Sequence, residues 1–320
     1  MRKKAYFKSV TIFLSILLVF SQLQLFSLPA YGETVSDQPL LFRSVGVAQN
    51  GTTYYVDGEG GNNANDGQSP ASAWRDFEKV NQTEFQPGDH LLLNAQSTWN
   101  NQLLHPKGNG TAAQKIVIDF YDTNDKGETI FETTRRPIIN GGGTYSTGTF
   151  KRAISGAVQL VNQEYWDISN LEVTNTPELD NLEGYKKPGD AQRAGILVLG
   201  YEQNRTFNSV TIRNNYVHDV QTEYYLNLSG NTATKRLKAV GGIIVLGSWF
   251  DENGNVVTAA NDHRTTTGFN DILIENNVIQ RVGLEGIRTK ADSDTSRGNT
   301  FYKTFSNITI RNNYLEDIAG

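Results

Sequence analysis

The 320-residue sequence contains no cysteine, one methionine, four histidines and eight prolines. The absence of cysteine excludes a disulfide framework, a thiolate metal site and a cysteine nucleophile, so stability has to come from packing and backbone hydrogen bonds. His90, His105, His218 and His263 are scattered and form no H-x-x-x-H pair, which argues against zinc. Basic charge is also scarce: 29 Lys+Arg stand against 34 Asp+Glu, a formal net charge of -5. A chain of that sign lacks the basic footprint of a nucleic-acid binder.

Long hydrophobic runs are rare too, the exception being Val10 to Leu28. This run follows Arg2, Lys3, Lys4 and Lys8 and precedes Ala30-Tyr31-Gly32, small residues at the spacing of a signal-peptidase site. Residues 1–32 therefore read as a signal peptide, and no basic flank follows the run to favour a retained anchor. Losing four basic residues takes Lys+Arg from 29 to 25 and the net charge from -5 to -9. The expected product is a monomer, secreted or at the cell surface, with no membrane segment after cleavage. Residues 33–52 lack periodicity and read as a loose lead-in to a single domain over residues 53–320.

What the sequence does have is repetition. Aligned on phenylalanine, "FNSVTIRNNYVHDV" from Phe207, "FNDILIENNVIQRV" from Phe269 and "FSNITIRNNYLEDI" from Phe305 share I-x-N-N followed by an apolar residue two positions on. A fainter copy, "WDISNLEV", supplies Ile168, Asn170 and Val173 but has Leu171 in place of the second asparagine. A second phrase recurs between copies, as "AGILVLG" from Ala194, "GGIIVLG" from Gly241 and "EGIRTKA" from Glu285. Both phrases are short, β-branched and alternate with period two, so they read as strands. The phenylalanines lie 62 and then 36 residues apart, so the units differ by loop insertions.

Stacked units of this kind make an all-β parallel solenoid, with equivalent side chains piled on one another inside. Asn170, Asn214, Asn276 and Asn312 are expected to form an amide ladder, leaving the second asparagine of each pair to take the left-handed turn. "SPASAWRDFEKVN" reads as a capping helix over about residues 70–81, with Ser69 as N-cap and Trp74, Phe77 and Val80 on one side. "HLLL" and "KIVIDFY" read as the first coils. The last copy ends at Gly320 without its Gly-led strand, so C-terminal coils are expected to be missing.

"TYYVDGEGGNNANDGQSPASAW", "NQEYWDISNLEVTN" and the I-x-N-N repeats together resemble the pectin-lyase-like right-handed parallel β-helix proteins, over roughly residues 52 to 320. The resemblance implies the fold, but the superfamily spans lyases, hydrolases, epimerases and proteins without chemistry. Three functions follow as expectations. The first is β-elimination on a uronate-containing polysaccharide, the second glycoside hydrolysis with two carboxylates, and the third a non-catalytic glycan-binding or cell-surface role.

The outward side of the Gly-led strand is the candidate for chemistry. If Ile196, Val198, Ile243, Val245, Ile287 and Thr289 point inward, the outward pairs run Leu197/Leu199, Ile244/Leu246 and Arg288/Lys290, a switch from apolar to basic. On the lyase resemblance Lys290 would be the base, Arg288 would hold a carboxylate, and Asp292 and Asp294 would supply hard oxygens to Ca²⁺. A hydrolase needs carboxylates about 5–9.5 Å apart, for which Glu285, Asp292 and Asp262 are candidates, with His263 and Arg264 as polar substrate contacts. Trp249 is the tryptophan placed to stack on sugar.

Overall fold

The computed structural model describes residues 41–143, 154–176, 192–221, 240–253, 255–258, 265–291 and 304–318. Among these, three parallel sheets wrap one core. The first sheet carries Thr53–Val56, His90–Asn94, Ile116–Thr123, Trp166–Ser169, Thr206–Arg213, Gly268–Glu275 and Phe305–Arg311 in sequence order. The second carries Thr98–Asn100, Ile138–Asn140, Glu172–Asn175, Tyr216–Val220, Val278–Val282 and Tyr314–Ile318. The third carries Ile154–Val161, Gln192–Gly200, Gly241–Gly247 and Ile287–Ala291. Each strand hydrogen-bonds to its equivalent in the next coil, the arrangement of a parallel β-helix.

The repeat alignment is the physical register: Phe207 pairs with Phe269 and Phe269 with Phe305, their rings 5.7 and 5.6 Å apart. Ile168, Ile212 and Ile274 stack beside them, joined by Val173, Val217 and Ile279 from the second sheet and Ile196, Val198, Ile243 and Val245 from the third. Each such buried side chain contributes about 1.5–3 kcal/mol relative to exposure. The inward parity expected for the Gly-led strands is thus the observed one, with Ile287 packed at the core margin.

The corner asparagines exchange the roles expected of them. Asn170, Asn214, Asn276 and Asn312 hold φ of 61°, 57°, 56° and 54°, the left-handed region in which a short polar side chain costs least. The ladder belongs to their neighbours. The Asn277 side-chain oxygen accepts from the Asn215 main-chain N–H (2.9 Å) and amide (3.1 Å), and its own amide donates to the Ile212 carbonyl and the Asn313 side-chain oxygen (2.9 Å each). A left-handed residue reverses the chain, so the residue after it is the one turned into the core. In the coil lacking a second asparagine, buried Leu171 occupies that place and gives its N–H to Asn215 Oδ1 at 3.0 Å.

The cap also differs from expectation, being two pieces rather than one helix. Ser69 caps a single 3-10 turn, Pro70–Ser72, and Asp76 caps a separate α-helix, Phe77–Gln82. Between them Trp74 runs extended, its N–H donating to the Tyr55 carbonyl (2.9 Å) and its carbonyl accepting from Asp57 (2.8 Å). The first strand captures this main chain, and tertiary pairing outweighs helical periodicity. The lead-in is equally tied down from residue 42 onward. Phe42–Arg43 pairs with Glu132–Thr133, and the Val45 N–H donates to the Asp119 carboxylate at 2.9 Å. The leader and residues 33–40 lie outside the described residues.

Candidate functional site

Two rows of side chains face outward across the third sheet. Register sets Gln159, Leu197, Ile244 and Arg288 in one row, and Val161, Leu199, Leu246 and Lys290 in the other. The middle of this face is closed. Leu197, Leu199, Ile244 and Leu246 are at most 1% exposed and form a second apolar cluster with Trp249 and Phe250, whose rings meet edge to face at 5.4 Å. The chain folds back there because Phe250 bridges to Val256, while the Asp251 carboxylate accepts from the Asn253 and Asn255 N–H groups at 3.0 and 2.7 Å.

This corrects the expectation for Trp249. It is 4% exposed and serves as the lid of an apolar cluster rather than as an open platform for sugar. The repeats place the outward leucines and isoleucines and point to the insertions at 221–240 and 248–268 as their cover; among the described residues the cover comes from Trp249 and Phe250 of the second.

Polar groups flank the closed region on both sides. Toward the N-terminal coils, Gln159 joins His105 across 2.9 Å, and burial beside the Lys107 charge pushes the imidazole down to about 4, leaving it neutral. Toward the C-terminal coils, Arg288 Nη1 reaches Glu285 Oε1 at 2.8 Å. Glu285 is fixed from below, since its carbonyl accepts from Gly242 at 2.9 Å, and Gly241, at φ 144°, sits so close that a Cβ would meet that carbonyl oxygen. Beside the lid, Tyr201 is pushed up to about 12 by burial and by the Glu252 carboxylate its hydroxyl engages.

Of the residues singled out in the sequence, Arg288, Lys290 and Glu285 come together at one end of this face, with Arg288 and Glu285 in direct contact. Asp262, His263, Arg264, Asp292 and Asp294 lie outside the described residues. Among those described, no group of His, Asp and Glu is arranged to hold a metal ion. Sequence reading missed Glu252 and Tyr201, which carry no local motif. It also missed a polar network on the second sheet, whose signal was available in the repeat: His218, Gln280 and Glu316 occupy one column and Asp219 and Arg281 the next.

The architecture is that of a parallel β-helix, and the comparisons with known proteins show which proteins share it. No family model matches the chain. It is 27% identical over 313 residues to a lacto-N-biosidase of Bifidobacterium longum subsp. longum, a match covering 86% of this chain and 19% of that protein. Crystal structures of the GH136 lacto-N-biosidase of Eubacterium ramulus, native and selenomethionine, superpose with TM-scores of 0.61 and 0.59 at 24% identity. They cover 84% of this chain and 42% of the other. The chain thus spans less than half the length of these lacto-N-biosidases.

Proposed function

We propose that the chain is the β-helix portion of a glycan-degrading glycoside hydrolase of the lacto-N-biosidase kind, and that it engages the end of a sugar chain. The observation that carries the reading is the closed face of the third sheet. A polymer-cleaving lyase lays its substrate across successive coils, and here Trp249 and Phe250 occupy that path. A short saccharide at one end of the face needs no such path. The similarity to a lacto-N-biosidase over most of the chain supports the same reading.

In this scheme Glu285 supplies one carboxylate, oriented by Arg288, and the second comes from Asp262, Asp292 or Asp294. Hydrolysis with retention wants the pair about 5–5.5 Å apart and inversion about 6.5–9.5 Å. Lys290 and Arg288 offer donors to substrate hydroxyl groups, and calcium at Asp292 and Asp294 is a further proposal. Export through the N-terminal leader fits a substrate outside the cell.

The β-elimination reading rests on the Arg288/Lys290 pair alone. One digestion separates the two. Hydrolysis releases new reducing ends with no absorbance change, whereas elimination raises absorbance near the ultraviolet edge through the unsaturated product. The experiment uses the full-length protein on neutral lacto-N-type and uronate-containing oligosaccharides, with Glu285→Gln as the variant. Reducing ends from the neutral substrates, reduced at least 100-fold in the variant, are expected; an absorbance rise on the uronate substrates would overturn the hydrolase reading.

A further inference from the structure

The second sheet presents a chain of contacts that the proposed chemistry does not use. It begins at Glu172, passes through His218 and Asp219, and ends at Arg281, so it crosses three successive coils. His218 Nε2 lies 3.1 Å from Glu172 Oε1, and Nδ1 lies 2.6 Å from Asp219 Oδ2. Arg281 meets both oxygens of Asp219 at 2.8 Å, through Nε and Nη2. The Tyr216 ring stacks on the imidazole at 4.0 Å, and its hydroxyl donates to Gln280 at 2.8 Å, which in turn donates to Glu316 at 2.6 Å.

The geometry requires a proton at a definite place. At 2.6 Å an imidazole nitrogen and a carboxylate oxygen must share a hydrogen, because two lone pairs at that distance repel. Arg281 holds the Asp219 carboxylate at about 2, with His218 adding to the effect, so the proton belongs to the imidazole. The other side of the ring faces a second carboxylate, and a cation can donate to both at once whereas neutral imidazole can donate to only one. Two groups oppose the charge. The Arg281 guanidinium comes within 3.2 Å of Nδ1, and half-burial removes water; Arg136, half-buried near Glu172, weakens that carboxylate's pull. The two acids nevertheless shift His218 above its ordinary value.

We infer that His218 is a proton-operated clamp, which when charged ties together the coils of Glu172, Asp219 and Arg281 and when neutral, keeping its Nδ1 proton toward Asp219, releases the Glu172 side of the joint. Position gives the clamp leverage. Asp219 is also a backbone corner, at φ 48°, stacked on Arg281 at φ 50°, and the Thr176 hydroxyl donates to its carbonyl. Glu172 opens the strand Glu172–Asn175 and His218 lies within Tyr216–Val220, so loss of the Glu172 contact reaches both strands. Because folding raises the imidazole's affinity for its proton, the stabilisation is complete below the free-imidazole range near pH 6.5 and is lost as pH rises through the folded value. At the acid end it persists until pH falls below about 4 toward the depressed value of Asp219, near 2.

With four histidines in the sequence, side-chain titration by NMR on the full chain can follow His218, assigned by the resonance missing in His218→Gln. The expected midpoint lies above that of free imidazole and falls in Glu172→Gln. Amide protection over 172–176 and 216–221, taken relative to the intrinsic exchange rate at each pH, should rise as pH drops through that midpoint in the wild type and show no such step in His218→Gln. A midpoint at or below the free value, or one unmoved by Glu172→Gln, would overturn the clamp, as would equal exchange steps in wild type and variant. Should His218→Gln fail to fold, Glu172→Gln alone decides, because it leaves the imidazole in place and removes one charge.

Discussion

Replacing Asn277 with alanine removes four hydrogen bonds from the interior of one corner. The lost groups are the oxygen accepting from the Asn215 main chain and amide, and the amide donating to Ile212 and Asn313. Asn313 Oδ1 keeps a donor in the Asn277 main-chain N–H at 3.0 Å, and the Asn215 amide keeps the Ile168 carbonyl at 3.0 Å. Two main-chain groups are left without these partners, the Asn215 N–H and the Ile212 carbonyl, at a site where Asn215 and Ile212 are fully buried. Each orphan costs about 1–3 kcal/mol, so the substitution should destabilise by about 2–6 kcal/mol. Asn276→Ala provides the comparison: it loses only the tolerance of φ 56°, about 1–2 kcal/mol, and Asn276→Gly should be milder still. Equilibrium unfolding in urea, followed by circular dichroism, measures the order. If Asn276→Ala proves as damaging as Asn277→Ala, or Asn277→Ala falls within about 1 kcal/mol of wild type, the assignment of the ladder to the second asparagine is wrong.

Trp249→Ala should cost about 3–5 kcal/mol by opening a cavity over Leu197 and Ile244, and should increase binding of a hydrophobic dye; an unchanged thermal midpoint without dye binding would show the cluster to be open already. Asp119, buried and raised to about 6 by desolvation in spite of its Val45, Phe120 and Asn170 donors, binds its proton more tightly folded than unfolded. Stability should therefore decline as pH rises from about 4 through 6, by about 3 kcal/mol at most, and Asp119→Asn should flatten that limb of the melting curve. Lys290→Ala should lower turnover of a cleaved oligosaccharide at least tenfold, an effect read in initial rates; full activity would remove Lys290 from the site.

The coil architecture was legible because the sequence writes it three times. Phe207, Phe269 and Phe305 align in the text and pair in space, and period-two alternation then fixed which of Ile243 and Ile244 faces the core. The corners were legible only in part. I-x-N-N marks the turn, but which asparagine enters the core depends on the sign of φ at the first, and both residues are chemically able to fill either role. The split cap was hidden because Trp74 is claimed by Tyr55 and Asp57, a contact between segments that helical periodicity does not register. Trp249 was misread for a related reason: an outward strand position says nothing of a hairpin that folds back over it. Candidate carboxylates such as Glu285 and Asp262 stand in the sequence without their separation, and separation is what distinguishes one glycosidic mechanism from another.

The pairing of Phe207, Phe269 and Phe305 has a consequence for how such a protein changes over time. The chain covers 62 residues between the first two and 36 between the second two, yet both steps advance the structure by one coil. For a flexible connection the difference in closure entropy between those lengths is about 0.5 kcal/mol. Segments at the rim can therefore lengthen, shorten or be exchanged at almost no thermodynamic penalty, while a single misplaced residue in a strand would put every following side chain on the wrong face. Variation is steered by the fold itself toward the connections between strands, so new surface chemistry can arise while the frame beneath it stays the same.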